Sequence, residues 1–274
     1  MKDNVKRIAT GIIFVVVIVS VLLLNNTIVD TVFVTLLSLC GIYECNKCFK
    51  AKDVHPIPFV GYTSCLAIPL LGTTLDLSIK LAIGAVWVIL SLIYMFTYIV
   101  IKKLEVNIVD VTVTLFSVVF VPFMFSFIKL LLLLPHGRIY LLLAFGCSTA
   151  TDTFAYEIGS RFGKHKLTPV SPKKSIEGSI AGIVGTMVIC AIISFVTNTY
   201  FDTNFNIILV VLMGAVLSVV GQIGDLAASS IKRYCGIKDF GNLMPGHGGI
   251  LDRFDSILFI APVMYALVYI SSII

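Results

Sequence analysis

Charge is scarce in this 274-residue sequence: Asp, Glu, Lys and Arg together make up 13%, roughly half the share of a soluble domain. Hydrophobic residues reach 58% and the mean hydropathy is +1.03. Such an excess cannot be a thick core, because a single-core chain of this length still needs a polar shell. The same scarcity of polar residues excludes a disordered chain, and 20 glycines and seven cysteines are too few for collagen or a disulfide-stapled scaffold. Alternation of apolar and polar residues over about ten positions, the mark of a membrane barrel strand, is also lacking. What remains is a polytopic helical membrane protein. No internal repeat, low-complexity segment or soluble domain interrupts it.

Unbroken apolar runs such as residues 8–24, 81–101 and 111–128 are near the roughly 20 residues that cross about 30 Å of hydrocarbon. The first follows Lys2, Lys6 and Arg7, but Leu24-Asn25-Asn26-Thr27 is no small-residue cleavage site, so a retained helix is expected. Nine spans are predicted, near residues 8–24, 28–43, 57–73, 77–101, 106–128, 139–158, 178–197, 206–230 and 256–273. Those at 28–43 and 57–73 are short enough to be tilted or re-entrant. With the N-terminus cytoplasmic, every Lys and Arg except Lys80, Lys129 and Arg138 falls in an inward segment, as the positive-inside rule requires. The expected fold is therefore an all-α polytopic membrane protein of about nine transmembrane helices, N-terminus cytoplasmic. Residues 1–137 hold about five helices, and residues 138–274 form a C-terminal transmembrane region whose cytoplasmic loops, at 159–177 and 231–255, are the two long enough to hold chemistry. The formal charge of +5 suits a face held against anionic headgroups.

Intramembrane carboxylates come first among candidate functional residues, because each is expensive unless the bundle compensates it. Asp152 and Glu157 lie in the sixth span and Asp225 in the eighth, beside Gly221 and Gly224, which permit close backbone approach. Glu157 is expected to pair with Arg161 at i+4. Asp30, Asp76 and Asp110, near span ends, are expected to be solvated. Cys45 and Cys48 have a metal-like spacing without a second pair or histidine cluster, so they are expected to behave as small hydrophobes.

In the first loop, two prolines and two glycines fix a path for five cations and His165. The rigid Ser171-Pro172 step precedes Lys173 and Lys174, point charges suited to phosphate. The second loop runs from Ser229-Ser230-Ile231-Lys232-Arg233 through Lys238-Asp239-Phe240-Gly241 to Pro245-Gly246-His247-Gly248-Gly249-Ile250-Leu251-Asp252-Arg253-Phe254-Asp255. Glycines allow backbone N–H groups to curl around an anionic oxygen. Asp252 and Asp255, at i and i+3, suit a divalent ion with oxygen ligands, and Arg253 can fork onto a phosphate. Together these describe a site for metal-bound phosphates at a membrane face.

This second loop resembles the signature of the phosphatidate cytidylyltransferases, or CDP-diacylglycerol synthases: Ser-x-x-Lys-Arg, four residues, Lys-Asp-x-Gly, then Pro-Gly-His-Gly-Gly-x-x-Asp-Arg-x-Asp. Every fixed position is present. The resemblance extends to Gly224-Asp225-Leu226, Ser171-Pro172-Lys173-Lys174-Ser175-Ile176-Glu177-Gly178 and Asp152-Thr153-Phe154-Ala155-Tyr156. Residues 1 to about 140 match only as hydrophobic helices. One departure is Ser175-Ile176 where the family has Thr-Trp; the hydroxyl is kept and the indole is not.

The resemblance implies that CTP and phosphatidic acid give CDP-diacylglycerol and pyrophosphate. Charge accumulation is the main barrier, so positioning and cationic stabilisation carry such transfers. It also implies Mg²⁺, with a monovalent cation such as K⁺, on Asp225 and Asp252, supported by Asp255 and Asp152. Lys173, Lys174, Lys232, Arg233, Lys238, Asp239, His247 and Arg253 would form the catalytic set, and Ser171, Ser175, Gly246, Gly248 and Gly249 would contact substrate. Membrane lipids are implied partners, a homodimer is suggested, and nucleic acid is not expected. The location implied is a bacterial inner membrane with the site facing the cytoplasm. The main rival is a cation transporter or channel lined by Asp152 and Asp225; it needs no basic glycine loop, and the repeat symmetry usual in transporters is missing.

Overall fold

The computed structural model describes the backbone of residues 2–102, 105–201, 203–243, 246 and 248–271, and the side chains of these except residues 2–10 and 14. The described residues form helices and no named strand: α1 (Lys2–Leu24), α2 (Thr27–Lys50), α3 (Pro58–Ser64), α4 (Ala67–Leu71), α5 (Leu77–Ile101), α6 (Ile108–Val118), α7 (Met124–Leu133), α8 (Gly137–Phe162), α9 (Ile176–Tyr200), α10 (Ile207–Cys235) and α11 (Leu251–Ser271). A π-helical stretch, Val119–Phe123, joins α6 to α7. It contains Pro122, which has no N–H for the ladder, and a π-turn takes up such an interruption without ending the rod.

Six of these rods are long and apolar enough to cross a membrane: Thr27–Lys50, Leu77–Ile101, Ile108–Leu133, Ile176–Tyr200, Ile207–Cys235 and Leu251–Ser271. The protein is accordingly multi-pass. The span expected at 28–43 is a full 24-residue helix. The span expected at 57–73 is instead two short helices of 7 and 5 residues, and Pro58 and Pro69 stand in them. α8 is long enough at 26 residues, but Arg138, Asp152, Glu157 and Arg161 make it more polar than the six.

The chain divides into two compact units, Met1–Leu130 with Tyr234–Arg253, and Leu131–Arg233 with Phe254–Ile274. In the first unit, polar residues at helix ends do more than meet solvent. Asp110 is 2% exposed. Its Oδ1 accepts the His55 N–H (2.6 Å) and its Oδ2 the Asn107 N–H (2.8 Å), while Asn107 Oδ1 accepts from Val109 and Asp110 in return. This is a reciprocal cap on α6 that also anchors the chain entering α3. Thr114 extends it, accepting the Ile57 N–H at 2.8 Å. Asp30 is likewise buried and Lys129 has no exposed surface, its Nζ donating to the Thr27 carbonyl at 3.0 Å. The expectation of solvated ends thus holds for exposed Asp76 and fails for Asp30 and Asp110. A carboxylate at the end of an apolar helix is close enough to neighbouring backbone to be captured by it.

Cys45 and Cys48 are buried free thiols in α2, and the Cys45 thiol donates to Ser117 Oγ at 3.4 Å. In the second unit α8 and α9 cross at very short range. A Cβ on Gly178 would lie 2.6 Å from the Ala155 carbonyl oxygen, and one on Gly182 would lie 2.9 Å from that of Thr151. Small residues at such crossings let membrane helices pack backbone to backbone. Beneath the crossing, Thr151 Oγ1 meets Thr186 Oγ1 (2.7 Å) and donates to Ser218 Oγ (2.8 Å), tying α8 to α9 and α10.

Asp110→Ala removes two charge-assisted hydrogen bonds and should cost about 2 kcal/mol of stability. Thermal unfolding in detergent measures this, and an unchanged midpoint would show that the α6 cap is dispensable.

Candidate active site

In the second unit, the loop between α8 and α9 is a tight hairpin. Lys166 and Ser175 form an antiparallel bridge, Leu167 N donates to the Lys174 carbonyl, Ile176 N to that of His165 and Lys174 N to that of Ser171, each at 3.0 Å. Glu177 in the first turn of α9 holds the outside of the hairpin, its Oε1 lying 2.6 Å from His165 Nδ1. Ser175 is the N-cap of α9, and its Oγ accepts the Gly178 N–H at 3.1 Å.

This hairpin delivers Lys174 onto Asp225 of α10, Nζ to Oδ2, with both side chains 25% exposed. The carboxylate that looked most costly inside an apolar helix therefore has its cation from another helix end. Asp152 and Asp225 both act electrostatically on Asp255, as does Lys232, so three carboxylates and at least two cations share one neighbourhood. A cavity of about 200 Å³ opens there, lined by Asp152 and Tyr156 of α8, by Ser171, Lys173, Lys174 and Ser175 of the hairpin, and by Ser179 and Gln222. Ser179 Oγ donates to Gln222 Oε1 at 2.5 Å, fixing α9 against α10. Glu157 and Arg161 pair at 2.9 Å as expected from their i,i+4 spacing, on the exposed surface.

The oxygen donors of Asp152, Asp225 and Asp255 have the chemistry of a Mg²⁺ site. Among the described residues no three His, Cys, Asp or Glu side chains converge tightly enough to cage an ion.

The first unit contains the glycine loop. Asp252, in the first turn of α11, accepts at Oδ2 from Phe240 N (2.8 Å) and Gly249 N (3.0 Å). Glu44 of α2, 3% exposed, accepts from Ile250 N at 3.0 Å through Oε1 and from Leu251 N at 2.9 Å through Oε2. Gly249 and Gly241 lie directly against the Glu44 carboxylate, where a Cβ would collide with it. Gly246 and Gly248 adopt φ of +80° and +83°, a region open to glycine and strained for other residues. The loop does curl its N–H groups around anionic oxygens, but these oxygens are the protein's own. Arg233, Lys238, Asp239 and Arg253 are exposed and Lys232 half-buried. His247 lies outside the described residues, with Met244 and Pro245.

The whole of this arrangement falls within residues 5–271, which match the cytidylyltransferase family. The chain belongs to that family. It is 34% identical over 264 residues to a phosphatidate cytidylyltransferase of Staphylococcus haemolyticus, covering 94% of this chain and 96% of the relative. The corresponding protein of Staphylococcus epidermidis is 36% identical over 267 residues, with the same coverage. That of Staphylococcus saprophyticus is 38% identical over 190 residues, 69% of this chain and 68% of its own.

Within this family chain, Ser175 shows why a hydroxyl is kept where the family pattern has Thr. It closes the first turn of α9, and Ile176 beside it is 44% exposed. Glu44 is not among the residues expected from the sequence: it falls one position past the predicted span at 28–43, outside the intramembrane criterion that singled out Asp225. Ser175→Ala should lower stability by about 1 kcal/mol while Ser175→Thr stays near wild type. Thermal unfolding of the two variants side by side tests the cap.

Proposed function

We propose that this protein transfers the cytidylyl group of CTP to phosphatidic acid, giving CDP-diacylglycerol and pyrophosphate. The observation that carries the reading is the Lys174–Asp225 pair beside Asp152 and Asp255, in a chain similar over 94% of its length to phosphatidate cytidylyltransferases. A phosphate oxygen of the lipid forms a bond to the α-phosphorus of CTP, and the bond from that phosphorus to the oxygen bridging it to the β-phosphorus breaks, that oxygen leaving with pyrophosphate. No general base is needed, because the lipid phosphate is already largely ionised. Both reactants are anionic, so the work of the protein is to hold them together and neutralise them.

Lys173 and Lys174, fixed by the hairpin, and Lys232, at the end of α10, are the cations proposed to hold phosphates. Arg233, Lys238 and Arg253 are proposed to add exposed charge that draws the nucleotide to the site. Asp225, Asp255 and Asp152 would hold Mg²⁺ through oxygen and water. When bound, the ion would polarise the α-phosphate and neutralise charge on the departing pyrophosphate. A monovalent cation such as K⁺ is proposed as its companion.

We further propose nine crossings with a cytoplasmic N-terminus in the bacterial inner (cytoplasmic) membrane, which would put the lysine-rich loops on the side where CTP occurs. Support comes from the one-sided placement of Lys and Arg and from the bacterial relatives. The lipid would keep its acyl chains in the bilayer while its headgroup meets the loops. The transporter alternative has no support in the comparisons, and in the structure Asp225 is held by Lys174.

Labelled CTP should be incorporated into chloroform-soluble lipid by the purified protein with phosphatidic acid and Mg²⁺. Lys174→Ala should lower the rate on the order of 100-fold, the scale for losing one charge-stabilising group. Wild-type protein that is folded and yields no lipid product would remove the reading; full activity in Lys174→Ala would remove the lysine from the site.

A further inference from the structure

The glycine loop of the first unit is held by a residue far away in sequence. Ile250 and Leu251 present the first free N–H groups of α11, a place where helices commonly receive phosphate. Here both are taken by Glu44, which reaches in from α2 at 2.9–3.0 Å and is 3% exposed. Its charge sits at the positive end of the helix dipole, where an anion is stabilised. Gly241 and Gly249 bring the two ends of the loop flat against the same carboxylate. Asp252 then stitches Phe240 to Gly249 from the other direction. Two carboxylates thus tie Phe240 and Gly241 to Gly249, Ile250 and Leu251, with Lys238 two residues before the tied backbone and Arg253 two residues after it.

We infer that Glu44 is a positioning residue for the transferase: it sets the glycine loop and so aims Asp252 and the loop cations. Glu44 acts through the backbone it holds. Its neighbourhood supports a positional role over a merely space-filling one. An apolar side chain would leave two adjacent N–H groups buried without acceptors. A glutamine offers one acceptor oxygen and turns an NH₂ towards the second donor. Only a carboxylate accepts from both.

The inference rests on the transferase reading, and its test separates the two. Glu44→Gln and Glu44→Asp would be purified beside wild type. Hydrogen exchange would be followed peptide by peptide, and CTP-dependent lipid labelling assayed per folded molecule. Glu44→Gln should speed exchange across residues 240–251 while α8 and α9 keep their protection. Its kcat/KM for CTP should fall about tenfold or more, the scale for a misplaced catalytic group. Glu44→Asp, which keeps both acceptor oxygens on a shorter stem, should recover part of that loss. Glu44→Gln with wild-type kcat/KM would overturn the inference, as would faster exchange spread evenly over the whole chain. A wild type that makes no lipid product would sink the transferase reading instead, and the exchange result would still decide whether Glu44 holds the loop.

Discussion

A charged or polar group that leaves water inside an apolar bundle must find its compensation within the protein, and this constraint organises the molecule. Four of the buried or half-buried carboxylates meet it in two ways. Glu44, Asp110 and Asp252 collect backbone N–H groups, two apiece from other residues. Asp225 takes a cation from another element. The first solution fixes loops and helix ends; the second leaves a charge pair that opens to a cavity. The division follows the difference between scaffold and site. A backbone donor cannot leave its acceptor without local unfolding, whereas a lysine on a flexible stem can change partners.

What was legible in the residues was whatever is local. Hydropathy located the rods, because twenty apolar residues have few other uses, and the bounds of α5 and α10 follow the predicted spans within a few positions. Glu157 with Arg161 was legible for the same reason, since i and i+4 are neighbours on any helix. Capture at long range was not. Nothing in the spacing links Glu44 to Ile250, 206 residues on, or Lys174 to Asp225. The glycines at 241 and 249 were visible as freedom to curl, but the object they curl around comes from α2. The shortness of the 57–73 span marked it as tilted or re-entrant without showing that it breaks into two helices.

Glycine and hydroxyl residues also divide the work between the two units. In the second, Gly178 and Gly182 let α8 and α9 approach until carbonyl oxygen meets Cα, and Thr151, Thr186 and Ser218 fill the crossing with hydrogen bonds. Such contacts hold helices where lipid tails are as apolar as any side chain and burial alone drives little association. Rigid helices of this kind are what give the Ser171–Ser175 hairpin a fixed base from which to present its lysines.

The broken third segment matters for counting. Twelve helical residues in two pieces reach only part of the way through a bilayer as a straight rod, so the parity of crossings before α8 depends on the route this segment takes. The relation between α9 and α10 is independent of that route. With 25 and 29 residues, each exceeds the thickness of the hydrocarbon layer, and the two run as an antiparallel pair. The start of one and the end of the other therefore share a face however many times the chain has crossed before. Lys173 and Lys174 stand at that start, Lys232 and Arg233 at that end. A change upstream could turn the bundle over in the membrane, and these four cations would turn with it as a set.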